Sequence, residues 1–203
     1  VSGAEPVLRQ YSREVWTVLE GVCVKVQATG IGSGFAAGDG VEISGCGVER
    51  LNGETVLKAV GADWVAFAGA VASGTVTETE MKLRRFVPEM DFVVQSGNRL
   101  WGCKYGMVDG ETVNEIYASK LGDFKNWRCF AGLATDSYAA ARGSDGVFTG
   151  AVSYLGNPIF FKERCMERVY AASSGAHQIV TTECSGVQKR SEKSLQVVGG
   201  VLY

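Results

Sequence analysis

Apolar and polar side chains alternate along this chain in bursts too brief for helices. Val22, Val24 and Val26 alternate with Cys23, Lys25 and Gln27, a period of two that turns one face of a strand inward. Gly38-Asp39-Gly40 leads into a second short strand, Val41-Glu42-Ile43-Ser44, closed by Gly45. Segments 55–60 and 64–68 follow, joined near Gly61-Ala62-Asp63, and 77–87 makes a longer strand. Asn52-Gly53 predicts a tight hairpin turn, because both residue types tolerate positive φ. So many short strands with turn signals between them predict a small barrel or sandwich. Ahead of them the segment is mixed, with Tyr11 to Trp16 as a candidate strand. Val87-Pro88-Glu89-Met90-Asp91 marks a junction, since proline fixes φ, removes a ladder donor and pushes its predecessor to extended geometry. The expected boundaries are therefore an N-terminal segment 1–20, a small β-barrel module 21–87 and a repeat region 88–203.

The repeat region writes one hairpin three times. Val93 opens V-V-Q-S-G-N-R-L-W, Val152 opens V-S-Y-L-G-N-P-I-F, and Leu195 opens L-Q-V-V-G-G-V-L-Y, which reaches Tyr203. Each copy places an apolar strand, a Gly-Asn or Gly-Gly turn, and a second strand with an aromatic at its third position. In the first two copies a further strand carries Ile116-Tyr117-Ala118-Ser119 and then Val169-Tyr170-Ala171-Ala172. Unequal spacings between like β units suit propeller-type repeats with loops of variable length. Strands are expected near 91–95, 99–104, 114–119, 127–131, 149–154, 158–163, 168–172, 177–183, 194–198 and 201–203. The fold class expected for the whole chain is all-β: a small barrel or sandwich module, then an incomplete β-propeller-like region whose third copy is cut off after its turn.

Composition narrows the picture. With 46% hydrophobic and 21% charged residues among 203, the chain has the make-up of a folded globular protein. Glycine, at 27 against 3 prolines, favours tight turns between short strands. The net charge of -2 and the scattered basic residues leave no phosphate-tracking stripe, so nucleic acid is not an expected partner. The basic run Lys189-Arg190 is expected in a solvated loop. No apolar stretch reaches the length a membrane helix requires, and neither a membrane nor a signal peptide is expected. The first residue is Val1, which suggests a processed product or a chain that starts inside a longer reading frame. Six cysteines stand singly, without the paired spacing of zinc or redox motifs. They are expected to be reduced core thiols.

Few residues carry a chemical signature. Gly30-Ile31-Gly32-Ser33-Gly34-Phe35 lacks the third glycine of a dinucleotide loop and the helix such a loop needs, so a turn is expected there. His177 is the sole histidine, which excludes two-histidine metal sites and favours a structural role. Asp39, Asp109, Asp123, Asp136 and Asp145 lie beside glycine or within turns, where carboxylates cap backbone N–H groups. Trp101, Tyr117, Trp127, Phe160, Phe161 and Tyr170 recur at matched positions, which favours packing between sheets. If exposed, Trp101 and Trp127 are the candidates for sugar binding. No catalytic, cofactor or metal residue is expected, and no enzyme.

Ser119-Lys120-Leu121-Gly122-Asp123-Phe124-Lys125-Asn126-Trp127 is loosely similar to the Asp-box hairpin of sialidase-type propellers, with the Gly and Asp order changed. That hairpin is structural and lies away from the active site, so the likeness implies blade architecture and not hydrolysis. Asp91-Phe92-Val93, Asn98-Arg99-Leu100-Trp101-Gly102-Cys103, Asn114-Glu115-Ile116-Tyr117-Ala118-Ser119, Leu121-Gly122-Asp123, Asn126-Trp127 and Gly156-Asn157-Pro158-Ile159-Phe160-Phe161-Lys162-Glu163 resemble, in order, prophage-encoded tail or virion structural proteins of gut Firmicutes. Gly38 to Gly45, with Asn52-Gly53 and the strand after it, is similar to a small β-barrel module of phage tail proteins and ubiquitin-activating enzymes. The resemblance implies a non-enzymatic virion component, assembled in the bacterial cytoplasm, with other tail proteins as partners. It brings no catalytic residues with it. An open sheet edge adds an expectation of self-association, and the alternative function is a carbohydrate-binding or glycan-degrading tail module.

Overall fold

A computed structural model describes residues 7–15, 22–69, 75–172 and 174–203, with side chains described in 23–69, 80–172 and 174–203. The described residues form antiparallel sheets and no α-helix. Two compact units are present. The first runs up to Val87 and takes in Arg128–Ala131; the second holds Pro88–Trp127 and Gly132–Tyr203.

In the first unit the strands are β1 (Val7–Val15), β2 (Val22–Gln27), β3 (Gly40–Ser44), β4 (Gly53–Gly61), β5 (Trp64–Ala68) and β6 (Thr75–Arg85). Each pairs with two others in the order β1-β2-β5-β4-β3-β6, and β6 pairs again with β1. β1 lies in the range expected to be a separate N-terminal segment, yet it supplies part of this ladder. The period-two pattern places Val24 and Val26, Val41 and Ile43, and Met81 and Leu83 in one core with Leu57, Val65 and Phe67. Burying each such side chain contributes roughly 1.5–3 kcal/mol.

The tight hairpin expected at Asn52-Gly53 is absent. The β3–β4 connection carries a single 3-10 turn, Glu49–Leu51, and Asn52 closes it with φ −72°. Its side chain accepts from the Cys46 N–H and donates to the Cys46 carbonyl, both at 2.9 Å. Leu51 is buried beneath, and that anchor draws the connection into a longer loop than the dipeptide alone dictates.

The second unit contains two four-stranded sheets, each a meander in chain order. The first is β7 (Phe92–Ser96), β8 (Arg99–Val108), β9 (Glu111–Ala118) and β10 (Tyr138–Ala141); the second is β11 (Phe148–Tyr154), β12 (Asn157–Lys162), β13 (Cys165–Tyr170) and β14 (Gln178–Glu183). A hairpin, β15 (Val197–Val198) with β16 (Val201–Leu202), follows. One apolar core draws on both sheets: Trp101, Cys103, Ile116 and Ala118 meet Phe148, Phe160 and Val169. The matched residues Ile116 and Val169 both lie on third strands and are fully buried.

Two expectations shift here. No strand forms at 127–131; a single antiparallel bridge joins Cys129 to Asp39 of the first unit's ladder region. The fourth strand is Tyr138–Ala141, hidden in the sequence because alanines give no polar–apolar contrast. The second hairpin also turns one residue earlier than its Gly-Asn pair predicts. Ser96 faces Arg99 across Gly97-Asn98, and Val198 faces Val201 across Gly199-Gly200, but Tyr154 faces Asn157 across Leu155-Gly156. Pro158 is the reason: the residue before proline is driven to extended geometry, so Asn157 cannot take the left-handed turn position. Leu155 takes it instead, at φ 49°, and Ile159 replaces an aromatic at the third position.

Candidate interaction surface

Both candidate aromatics are inside. Trp101 is 0% and Trp127 is 5% exposed, so neither presents a face for sugar stacking. The cause is strand parity: Trp101 shares the inward side of β8 with Cys103, and its indole N–H donates to the Ser96 carbonyl. Tyr138 packs against Trp101 with ring centroids 6.0 Å apart.

Three of the five carboxylates singled out in turns accept backbone N–H groups. Asp39 accepts from the Ala36 N–H, Asp123 from Lys125 N–H, and Asp136 from the Gly132 and Leu133 N–H groups. Asp109 forms the β8–β9 turn with Gly110, both at positive φ, and Asp145 lies in the β10–β11 connection. His177 Nδ1 accepts from the Ala172 N–H at 3.2 Å. All six cysteines are free thiols, five of them buried. Among the described residues no cluster of three His, Cys, Asp or Glu side chains could hold a metal.

The Gly30–Gly34 loop folds as successive turns, with Gly30 N–H donating to Asp63 and Gly32 N–H to the Ala62 carbonyl. A Cβ on Gly32 would fall 1.6 Å from the Gly61 oxygen, so the loop presses backbone on backbone. Beside it lies an open depression of about 560 Å³ lined by Phe35, Val60 and Asp63 among others. Among the described residues no helix N-terminus faces it, as phosphate binding at such loops requires.

Sequence reasoning missed the most strongly ionic cluster. Lys162 and Glu167 are fully buried, on β12 and β13 of the second sheet. Lys162 Nζ donates to Asn114 Oδ1 at 3.0 Å and to the Ser144 carbonyl at 2.8 Å, over the rings of Phe148 and Tyr105. Glu167 accepts from Arg142 at 2.9 Å, Thr181 at 2.9 Å and Ser144 at 2.5 Å. Burial pulls the Lys162 ammonium below its ordinary value. Burial alone would raise the Glu167 carboxyl, but the hydrogen bonds from Ser144, Arg142 and Thr181 outweigh it and hold the group below its ordinary value. Parity held the signal: Glu167 shares a face with buried Cys165 and Val169, and Lys162 with Phe160. Arg99 is a second buried cation, donating to the carbonyls of Ser119, Ala134 and Asp136, the first at 2.7 Å. These groups are engaged in holding strands and loops together.

What the second unit does present is apolar strand surface. In the hairpin β15–β16, Val197, Val198 and Val201 are exposed, with Val198 at 61%, and Tyr203 beyond it is 71% exposed. The hairpin is well made: Gln196 and Tyr203 exchange both backbone hydrogen bonds, and Tyr154 donates to the Gly200 carbonyl. The β9–β10 loop also exposes Leu121, Phe124 and Leu133. Comparison of the chain with protein-family models, curated proteins and solved structures gave no match. No helix among the described residues is long and apolar enough to cross a membrane.

Proposed function

We propose that the chain is a non-enzymatic structural module of a phage or prophage tail assembly, offering sheet surface to neighbouring proteins. In this reading the ring of six strands is a small-barrel module. The two meanders and the hairpin after them are successive units of a propeller-like repeat. One observation carries the proposal: the hairpins β7–β8 and β11–β12 contribute to a shared core, while the third, β15–β16, holds the same geometry with its valines in solvent. Sheet repeats bury their faces only against neighbours, and an uncovered apolar hairpin with free edges is a template for another strand. The assignment to a tail assembly is supported by the resemblance of the segments between Asp91 and Glu163.

For the isolated chain, the partner at hand is a second copy. Sedimentation velocity over a wide concentration range should show reversible association. Val198→Lys, which places a charge on the hairpin without touching either sheet, should abolish it while circular dichroism stays unchanged. A strict monomer at the highest concentration, or association that Val198→Lys leaves intact, would count against the hairpin as the interacting surface.

A further inference from the structure

His177, the chain's sole histidine, sits where the β13–β14 connection meets the first sheet of the same unit. Its ring stands edge-on to Trp101 of β8 and to Tyr138 of β10, with centroids 5.1 Å and 5.0 Å away. Nδ1 accepts the Ala172 N–H, so that nitrogen carries no proton of its own. Two residues earlier, Gly175 presses on the loop that leads into β10. A Cβ there would lie 2.8 Å from Ala134 Cα, and φ is +81°, so only glycine permits the approach. The connection is thus docked at two points.

The charged surroundings disfavour an imidazolium at this place. From β8, the Arg99 guanidinium is the charged neighbour, itself bound to the carbonyls of Ser119, Ala134 and Asp136. From β10 the neighbour is the neutral Tyr138 ring. On the loop that leads into β10, the Asp136 carboxylate accepts from the Gly132 and Leu133 N–H groups. Burial and Arg99 together push the His177 imidazole below its ordinary value.

We propose that this connection is an acid-opened latch: protonation of His177 undocks it from Trp101, Tyr138 and Ala134, loosening the two sheets where they meet. Histidine is the side chain whose ordinary value lies inside the range between neutral and mildly acidic conditions. Because the folded value is the lower one, docking is fully favoured above the unfolded value, near 6.5, and weakens as pH falls through the folded value.

The test is a pH titration of the intact chain with two readouts. The single imidazole Cε1–H resonance reports protonation, and hydrogen exchange corrected for its intrinsic pH dependence reports opening of the connection. We expect an imidazole value below 6.5 and, between about pH 7.5 and pH 5, an increase in exchange of about tenfold for each unit by which that value lies below 6.5. The increase should be confined to the connection and its contacts, and absent from His177→Gln. An imidazole that titrates at or above 6.5, or an exchange increase that persists in His177→Gln, overturns the proposal. If His177→Gln fails to fold, the wild-type chain still decides the matter: the resonance and the local exchange either titrate together below 6.5 or they do not.

Discussion

At the residue scale, Leu155 shows a local rule overriding a repeat. The copies align on their glycines, and sequence alone places Asn157 in the turn by analogy with Asn98. Proline at 158 forbids that, and the left-handed position falls to a leucine that is 69% exposed. A left-handed backbone costs an ordinary L-residue roughly 1–2 kcal/mol, while asparagine accepts it readily. Leu155→Asn should therefore stabilise the protein by about 1 kcal/mol, since little burial is lost. Chemical denaturation checks this, and an unchanged or lowered midpoint would mean the turn is not under strain. The same scale explains the tryptophans. Alternation assigned Trp101 to one side of its strand but could not say which side faced the core; the partner surface, with Phe160 and Val169, lies in another sheet.

At the element scale, the sheets are joined by hydrocarbon and by charge side by side. Trp101, Ile116, Phe160 and Val169 supply apolar contact. Tyr105, Asn114, Lys162, Glu167, Arg142 and Ser144 form the polar part, where strand-paired residues such as Tyr105 and Asn114 keep the same inward parity and Glu167 lies opposite Phe160. Strand positions around this interface were largely legible because periodicity is local. The ion network was not, because its members come from β9, the β10–β11 connection, β12, β13 and β14. Removing one partner of a buried ion pair leaves the other uncompensated, so Glu167→Ala should cost about 3–5 kcal/mol. Adding Arg142→Ala should recover part of that loss, as a double-mutant cycle in urea would show. Acid gives an independent signature. Glu167 is held below its ordinary value in the fold, so its contribution is complete above the unfolded value of about 4.3 and is lost as pH falls through the folded one. Glu167→Gln should flatten that part of the acid dependence; an acid profile identical to wild type would mean the carboxylate contributes nothing as an ion.

At the scale of the whole molecule, one compact unit runs up to Val87 and the other starts at Pro88, and the core of each unit follows from its own strand pattern. What local pattern could not reveal is that Arg128–Ala131 belongs with the first unit. Trp127 to Ala131 alternates like a strand, and sequence-adjacent strands lay close by as plausible partners. The segment instead finds a distant one: the Gly40 N–H donates to the Arg128 carbonyl at 2.7 Å, Cys129 bridges Asp39, and the Arg128 guanidinium lies over the Phe86 ring. Long-range pairing of this kind is decided by what edge is free in the finished fold, and a window of a few residues holds no trace of it. The consequence is measurable. A fragment of residues 88–203 keeps every residue of the Trp101–Val169 core and should unfold cooperatively, with slow exchange in β8, β9, β12 and β13. Arg128–Ala131, deprived of Asp39, Gly40 and Phe86, should exchange at loop rates in the fragment while remaining protected in the full chain. Equal protection of that segment in both would show that its order comes from neighbours within 88–203, and that it is not part of the first unit's fold.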